Sequence, residues 1–507
     1  MKIQLPLNFT IALLLFSSFI LFISAWRMTN SSHPKKHKNL PPSPPKLPVI
    51  GHLHHLIGGL PHRSLSRLAQ KFGGVLYLQL GQVPVVVVSS REAAKQILRI
   101  HDPACADRPQ TANNKIMFYD CNDIIFGQYS EHWKQMRKIC TMELLGSKNV
   151  RSFGYIRQDE GSNLVKSLQS SLGKVVNLTA KILAMTSSVV CRAALGKVSR
   201  ESDMAMAMIK QVLSYGGMFE LADLFPSSKL LHVLLGWKRY KLLSMRRKLD
   251  KILDVIIEEH KLKKSGEFGG EDVVDVLLRM NQDGKLEFPI TNENIKAVIF
   301  DVLAGGIDTT AAAIDWVMAE LIRNPRVMAK VQSEVRRAFR ENKPMEESDV
   351  TQSLRYLKLV IKESLRLHPP GSIVPRFCRD ECKVDGYSIP RKSWVSINVW
   401  SIGRDPEYWD EPESFRPERF DNDSLNFLGN NFEYIPFGSG KRICPGMHFA
   451  LASMELTLAQ LLYHFNWETP QGVAPADVDM TETNGATVTR QNGLFLIASA
   501  YNPPFED

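Results

Sequence analysis

Residues 436–446 of the chain read Pro436-Phe437-Gly438-Ser439-Gly440-Lys441-Arg442-Ile443-Cys444-Pro445-Gly446, and this is the most informative stretch of the sequence. Its two internal glycines allow backbone conformations that bring N–H groups close to one sulfur atom. The closing proline and glycine open an apolar-periodic helix that begins near Met447, so Cys444 lies at the positive end of the helix dipole. Both features favour the anionic sulfur, and a thiolate is the form of cysteine that ligates iron.

The charge beside this sulfur loop also points to a bound anion. Arg442 offers a fixed guanidinium, which suits a carboxylate such as a haem propionate. The alternative for Cys444 is a buried small hydrophobe, which is the ordinary role of a cysteine. We assign that ordinary role to the six other cysteines, which are Cys105, Cys121, Cys140, Cys191, Cys378 and Cys382. A total of seven cysteines in a long chain argues against a disulfide framework and for a reducing compartment.

The pattern Phe437-x-x-Gly440-x-Arg442-x-Cys444-x-Gly446 resembles the haem-thiolate loop of the cytochrome P-450 family. Further motifs follow in that family's order, so the resemblance covers nearly the whole chain. The sequence as a whole is most similar to plant microsomal members of the family, which oxidise terpenoids, alkaloids and phenolics. The resemblance implies heme b (iron-protoporphyrin IX) as cofactor. Cys444 would be the axial ligand of the haem iron, and Phe437 and Gly438 would also bind the cofactor.

Composition and periodicity predict one large domain after Gly51. The chain is 44% hydrophobic and 23% charged, close to globular averages, which excludes disorder, collagen and a small disulfide scaffold. A β-hairpin is predicted where two valine-rich runs flank residues 81–84. Helical periodicity is clearest over 156–172, 179–196, 241–264, 294–323, 325–341, 353–367 and 446–465. The expected fold is mainly α with a small β-rich part, and the resemblance implies a haem-thiolate catalytic domain of the cytochrome P-450 fold over 51–507.

The amino terminus has the composition of a membrane anchor. Residues 5–26 contain no charged side chain, and a helix of that length can cross a hydrocarbon core about 30 Å thick. Basic residues follow the segment and only Lys2 precedes it, which places the body of the chain on the cytosolic side. We predict an anchor helix with its flank over 1–30, a basic, proline-rich hinge over 31–50, and a single-pass protein of the endoplasmic reticulum membrane. A cleaved signal peptide is the alternative.

A second motif interrupts a long apolar helix with two adjacent glycines, in Ala304-Gly305-Gly306-Ile307-Asp308-Thr309-Thr310. Each glycine costs about 1 kcal/mol relative to alanine in a helix interior, so something should need the space. A packing pair at a helix crossing is the alternative. The stretch resembles the family's oxygen-activation motif. That resemblance implies catalytic roles for Thr309, as hydrogen-bond partner of the oxygen, and for Asp308, in proton relay.

Glu363 and Arg366 lie three residues apart on one helical face, which by itself indicates only an ordinary ion pair. Their place in the chain resembles the family's Glu-x-x-Arg motif. The resemblance implies a buried structural triad with Arg419 that holds the core around the haem.

Three further positions are candidates for binding the haem propionates. Trp133 and Arg137 lie four apart on a predicted helix and can reach one carboxylate together. A basic amphipathic helix that touches a membrane or a partner is the alternative for that segment. Arg376 matches the position of another propionate-binding arginine of the family.

The resemblance implies a membrane-bound monooxygenase that uses O2 and electrons from NADPH. No Rossmann or flavin fingerprint occurs in the chain, so the electrons should come through an NADPH-dependent cytochrome P-450 reductase, with cytochrome b5 as a further candidate partner. The net charge of +10, with Lys134, Lys138 and Lys441 beside the thiolate loop, suits an acidic reductase face. Nucleic acid is not expected, because basic residues and aromatics do not alternate along any run.

The substrate contacts that the family implies are Met117, Phe118, Val302, Leu303, Ile373, Val374, Ala486 and Thr487. Most of these side chains are apolar, which favours a small hydrophobic plant metabolite of terpenoid size over an alkaloid or a phenolic. A haem-thiolate isomerase or dehydratase and a non-catalytic haem carrier or sensor are the alternatives. Neither needs the acid–hydroxyl pair at Asp308 and Thr309.

Overall fold

The computed structural model describes residues 39–216, 220–262, 271–284, 286–339, 345–422 and 425–501, together with Ser18. The anchor predicted over 1–30, Ser18 apart, and the first part of the hinge predicted over 31–50 lie outside these residues. Within the described ranges the chain is mainly helical with small β-sheets, as predicted.

The α-helices, numbered α1 to α19 in chain order, are Pro61–Phe72, Arg91–Lys95, Asp102–Cys105, Ala112–Met117, Glu131–Ile139, Ser147–Ser152, Gly154–Gln169, Leu178–Leu195, Arg200–Gly216, Leu221–Leu224, Lys229–Leu234, Gly236–Leu262, Val273–Gln282, Asn292–Arg323, Pro325–Ala338, Glu347–Ser353, Arg355–Leu367, Val399–Ile402 and Met447–His464. The strands, β1 to β9, are Val75–Leu80, Val83–Val88, Val175–Asn177, Ile373–Phe377, Cys382–Val384, Tyr387–Ile389, Trp394–Asn398, Phe465–Glu468 and Phe495–Ala500.

The central element is α14, and its start is set by local chemistry. The Thr291 hydroxyl accepts a hydrogen bond from the Asn294 N–H at 3.2 Å, which caps the first turn. The helix runs to Arg323, where Pro325 opens α15 after a short break. Side chains along almost the whole length of α14 are buried, and it packs against α8, α9, α17 and α19. This helix is therefore the spine of the hydrophobic core.

Within the described ranges, two helices, α8 and α14, are long and apolar enough to cross a membrane by length and composition alone. More than half of each apolar window is buried inside the fold, 56% and 67% respectively. Both are core helices that pack against each other.

The largest sheet has the strand order β1-β2-β7-β4. The predicted hairpin is present, with Val75 paired to Val88 and Leu80 paired to Val83. The second strand begins earlier than the sequence indicated and includes Pro84. Its pairing with β7 begins only at Val85, so the missing N–H of Pro84 costs no hydrogen bond to β7.

One expectation about the cysteines is wrong. Cys105 and Cys378, both predicted to be simple buried hydrophobes, are joined by a disulfide across 273 residues of sequence. The Cys382 sulfur lies 3.8 Å from the Cys105 sulfur. Isolated bridges of Ala106 and Asp107 to Phe377 bring these distant segments together, and no local sequence pattern records that contact.

The predicted Glu363–Arg366–Arg419 group is assembled in the core. Arg366 donates to both carboxylate oxygens of Glu363 at 2.8 and 2.9 Å, and Arg419 Nε donates to Glu363 Oε1 at 2.9 Å. The side chains of Glu363 and Arg366 are fully buried. Arg366 also donates to the carbonyls of Gly403 and Pro412 at 2.6 and 2.7 Å. The group therefore ties α17 to the loop that leads toward the sulfur.

We expect Glu363→Gln to lower the free energy of unfolding by about 3–5 kcal/mol, because it leaves Arg366 buried without its counter-charge. Thermal or denaturant unfolding measures the loss. Arg326→Ala is the matched control, since its pair with Glu418 at 3.1 Å is exposed and should contribute less than about 1 kcal/mol. Equal losses in the two variants would contradict a locking role for the buried group.

Candidate functional site

The sulfur loop is a tight turn that needs its glycines. The Cys444 N–H donates to the Phe437 carbonyl at 2.9 Å, which closes the turn. Gly438 and Gly440 have φ angles of +73° and +71°, a region that side chains other than glycine rarely adopt. At Gly440 a Cβ atom would also collide with the Asp102 carboxylate. Helix α19 begins at Met447, as the sequence predicted.

Asp102 holds this loop from the other side, and the sequence did not single it out. Its Oδ2 accepts the Lys441 N–H at 2.6 Å. Burial raises the pKa of the Asp102 carboxyl, while the Lys441 N–H and the charge of Arg376 act to lower it. The two partners are 339 residues apart in sequence, so no motif connects them.

The loop by itself does not make the thiolate stable. Burial raises the pKa of the Cys444 thiol, and the Gly446 N–H and the Arg137 charge offset this only in part. The Gly446 N–H favours the anionic sulfur, as the loop predicted, but desolvation outweighs it. A coordinated metal ion would supply the missing positive charge, since a thiol bound to a metal is deprotonated.

Four guanidinium groups converge beside the loop. Arg137, Arg376 and Arg442 were predicted from the sequence, and Arg108 joins them. Burial first, and then the charges of neighbouring arginines, lower the pKa of Arg108 to about 10 and that of Arg442 to about 9. Such a concentration of buried positive charge requires an anionic partner.

These arginines are held in place by backbone carbonyls. Arg442 Nε donates to the Ala106 carbonyl at 2.8 Å, and its guanidinium lies 3.8 Å from the centre of the Trp133 ring. The Trp133 indole N–H donates to the Ile124 carbonyl at 3.0 Å. Arg137 donates to the Ile443 carbonyl inside the sulfur loop. Trp133 and Arg137 therefore meet at this site, as their spacing predicted.

The cradle fits a haem. Arg376 is fully buried, donates to the Ser439 carbonyl at 3.0 Å, and its Nε and Nη1 have no partner among the described residues. Two propionates would satisfy these donors and neutralise the cluster. Cys444 would be the thiolate ligand at the same loop. Of the four arginines, Arg108 is the one that no sequence motif singled out, because it follows Asp107 in an ordinary polar stretch.

The two glycines of α14 have different surroundings. A Cβ atom at Gly306 would meet the Val190 side chain at 3.3 Å, so this glycine serves helix packing. A Cβ atom at Gly305 would meet nothing within 4 Å. The Thr309 hydroxyl donates to the Gly305 carbonyl at 2.6 Å. Open space and a hydroxyl thus occur together at one point of α14.

Asp308 faces a different neighbour from Thr309. Burial raises the pKa of the Asp308 carboxyl, and the Lys210 ammonium on α9 acts in the opposite direction. A carboxyl in this state can hold a proton more readily than an exposed one.

The predicted substrate positions differ in accessibility. Val302, Ile373, Val374 and Thr487 are half-buried and Ala486 is exposed, so each has surface available for a contact. Met117, Phe118 and Leu303 are buried and pack within the core. The Phe118 ring lies against two aromatic rings that the sequence did not suggest, those of Phe126 at 4.5 Å and Phe300 at 5.2 Å between centroids.

The sequence model of the family described as "Cytochrome P450" matches residues 41–497. The chain belongs to the cytochrome P450 family. It is 52% identical over 505 residues to "Cytochrome P450 71D13" of Mentha piperita, covering 99% of this chain and 100% of that one. It is 50% identical over 500 residues to "Cytochrome P450 71D181" of Origanum vulgare, covering 99% of each.

Among solved structures, this P450 is similar to "Zebra fish cytochrome P450 another structure with Progesterone". The TM-score is 0.76 at 23% identity, over 87% of this chain and 99% of that one. The similarity confirms the predicted fold.

Membership establishes the chemistry in outline. This P450 is a haem-containing monooxygenase that acts on a small hydrophobic substrate and receives its electrons through a redox partner reductase. When bound, the haem supplies the activation of O2 and the oxidation of the substrate. Cys444 would hold its iron, and the arginines of the cradle would hold its propionates.

We expect Gly305→Ala to raise the free energy of unfolding by up to about 1 kcal/mol, because alanine is the better helix former and its methyl group enters open space. The same methyl group narrows the space beside Thr309, so turnover should fall. Gly306→Ala is the matched control, since its methyl group presses on Val190 and offsets the helix gain. Unfolding curves and product formation measure both effects. Unchanged turnover in Gly305→Ala would show that the space is not used.

Proposed function

We propose that this P450 hydroxylates, or otherwise oxidises, a hydrophobic plant specialised metabolite of terpenoid size. The observation that carries the proposal is the character of the accessible side chains at the substrate positions. Val302, Ile373, Val374 and Ala486 are apolar, and Thr487 is the one hydroxyl in the accessible set. An apolar lining selects a substrate by shape and buried area.

Thr309 and Asp308 are proposed to handle the protons of the reaction. The Thr309 hydroxyl borders the open space at Gly305. Asp308, with its raised pKa, is suited to pass a proton toward that hydroxyl. Both groups support a monooxygenase over an isomerase or dehydratase, which needs neither.

Residues 39–57, together with α11 and the start of α12, are proposed to lie against the endoplasmic reticulum membrane, beside the anchor. Exposed apolar side chains cluster on α11 and the start of α12, at Leu230, Val233, Leu234, Trp237 and Tyr240. The turn between β1 and β2 connects this region to the amino-terminal segment, because the Gln82 N–H donates to the Leu224 carbonyl at 2.7 Å and the Gly81 N–H to the Ile50 carbonyl at 3.2 Å. An exposed apolar cluster of this kind fits a lipid surface.

Electron transfer is proposed to come from an acidic reductase that docks beside the sulfur loop, with cytochrome b5 as a second donor. Lys134, Lys138 and Lys441 are exposed there. Glu131 already pairs with Lys134 at 2.7 Å. Lys138 and Lys441 therefore carry most of the proposed attraction.

Microsomes that contain the full-length protein and a reductase should convert terpenoids of a mixed panel to oxygenated products in the presence of NADPH. The panel contains terpenoids, alkaloids and phenolics, and products are read by mass spectrometry. Alkaline carbonate washing of the same microsomes should leave the protein in the membrane pellet. Oxidation of the alkaloids or phenolics alone would replace the terpenoid proposal with the second candidate.

Thr309→Ala is expected to uncouple the reaction, so that NADPH is consumed while peroxide is released and product falls about 10- to 100-fold. The ratio of product to NADPH consumed is the measurement. The buried neighbour Thr310→Ala is the control and should keep the wild-type ratio. Normal coupling in Thr309→Ala would remove this hydroxyl from the proton path.

A further inference from the structure

Residues 481–491 form a hairpin near the carboxyl end that is paired along both arms. The Gln491 N–H donates to the Thr481 carbonyl at 2.7 Å, and the Thr483 N–H donates to the Thr489 carbonyl at 2.8 Å. The Thr489 N–H returns to the Thr483 hydroxyl at 3.1 Å. The tip of this hairpin carries Ala486 and Thr487, two of the proposed substrate contacts.

An ion pair ties the base of the hairpin to α14. Arg490 Nε donates to Asp315 Oδ2 at 2.9 Å, and the two side chains are only 2% and 5% exposed. The other nitrogens of Arg490 donate to the carbonyls of Asp479 at 2.8 Å and Asn492 at 3.0 Å. The second oxygen of Asp315 accepts the Thr179 hydroxyl at 2.5 Å. Every nitrogen of the Arg490 guanidinium and both carboxylate oxygens of Asp315 therefore have a hydrogen-bond partner.

A second contact fixes the tip from the next residue of α14. The Trp316 indole N–H donates to the Val488 carbonyl at 3.2 Å, and the Val488 N–H donates to the Pro370 carbonyl at 2.9 Å. Pro370 precedes β4, which carries Ile373 and Val374. Three segments with proposed substrate contacts therefore meet at one hydrogen-bonded junction.

Because the hairpin is bonded to α14, the position of this helix determines the position of the hairpin tip. Asp315 follows Thr309 by six residues on one continuous helix, a rise of about 9 Å at 1.5 Å per residue. The same rigid element thus carries the reacting end of the site and the anchor of the hairpin. A shift at Arg490 would move Ala486 and Thr487 relative to Thr309.

The opposite arm is tied elsewhere. Glu482 accepts from Arg63 Nε at 2.6 Å and contacts His62 Nε2 at 2.9 Å, both on α1. That contact holds the outer side of the hairpin and does not involve α14. The Asp315–Arg490 ion pair at the base and the Trp316–Val488 hydrogen bond near the tip therefore set the distance of the hairpin from α14.

We propose that Arg490 and Asp315 are positioning residues that determine which carbon of the substrate is oxidised. They act by fixing the distance between the hairpin tip, which carries Ala486 and Thr487, and the part of α14 that carries Thr309. The proposal rests on the proposed function, in which those two residues contact the substrate.

The test compares Arg490→Lys and Asp315→Asn with the wild-type full-length protein in reductase-containing microsomes. Lysine keeps the charge but cannot reach three acceptors at once, and asparagine keeps the shape without the charge. Both variants should change the ratio of positional products and raise KM about tenfold, because small misplacements of a substrate are costly. Haem content per protein should stay at the wild-type level.

Arg157→Lys is the matched control. The Arg157 side chain is as buried as that of Arg490, and it pairs with Glu347 at 2.5 and 2.6 Å on helices away from the hairpin. This variant should lose thermal stability while its product ratio and KM stay at wild-type values. An unchanged product ratio and KM in Arg490→Lys, with a loss of stability equal to that of Arg157→Lys, would reduce the Asp315–Arg490 pair to a structural contact.

Hydrogen–deuterium exchange separates this inference from the proposed function. The amides of residues 483–489 should exchange at least tenfold faster in Arg490→Lys than in wild type, and at the wild-type rate in Arg157→Lys. Wild-type protein that oxidises no member of the panel would overturn the proposed function. Unchanged exchange in the hairpin would overturn the positioning role, whatever the substrate proves to be.

Discussion

The structure depends on the burial of four guanidinium groups around one cysteine loop. Arg108, Arg137, Arg376 and Arg442 are held by carbonyls of the surrounding loops. Burial, and after it the charges of neighbouring arginines, lower the pKa of Arg108, Arg376 and Arg442. Burial of this much like charge is unfavourable without an anion. Haem propionates would supply the counter-ions of these arginines, and the haem iron would bind Cys444 as a thiolate.

Helix α14 connects that centre to the rest of the molecule. Its middle turn holds the open space at Gly305 and the Thr309 hydroxyl, and its later turns hold Asp315 and Trp316, which anchor the carboxyl-terminal hairpin. Asp301, earlier on the same helix, accepts the Ile124 N–H at 2.7 Å and so holds the loop before α5. One rigid helix thus fixes the position of the proposed proton path relative to the walls of the proposed substrate site.

Features that depend on residues close together in the sequence were predicted, and features that depend on contacts between distant residues were not. The hairpin of β1 and β2, the seven long helices and the glycine-containing sulfur loop depend on periodicity or on one residue's backbone freedom, so the sequence predicted them. Trp133 and Arg137 were found because four residues are one helical turn. Arg108 and Asp102 were missed because their partners lie hundreds of residues away, and so was the bond between Cys105 and Cys378. The effect of burial on the pKa of the Cys444 thiol could not be predicted from the loop, because desolvation depends on the whole fold.

The central claim is that Cys444, held in this loop, ligates a haem iron as a thiolate. The most direct measurement is the absorption spectrum of the reduced, carbon-monoxide-treated protein, for wild type, Cys444→Ser and the buried-thiol control Cys191→Ala. We predict the red-shifted Soret band of a thiolate-ligated carbonyl complex in wild type and in Cys191→Ala, and its loss in Cys444→Ser. Persistence of that band in Cys444→Ser, or a wild-type protein whose haem is bound through nitrogen, would contradict the account.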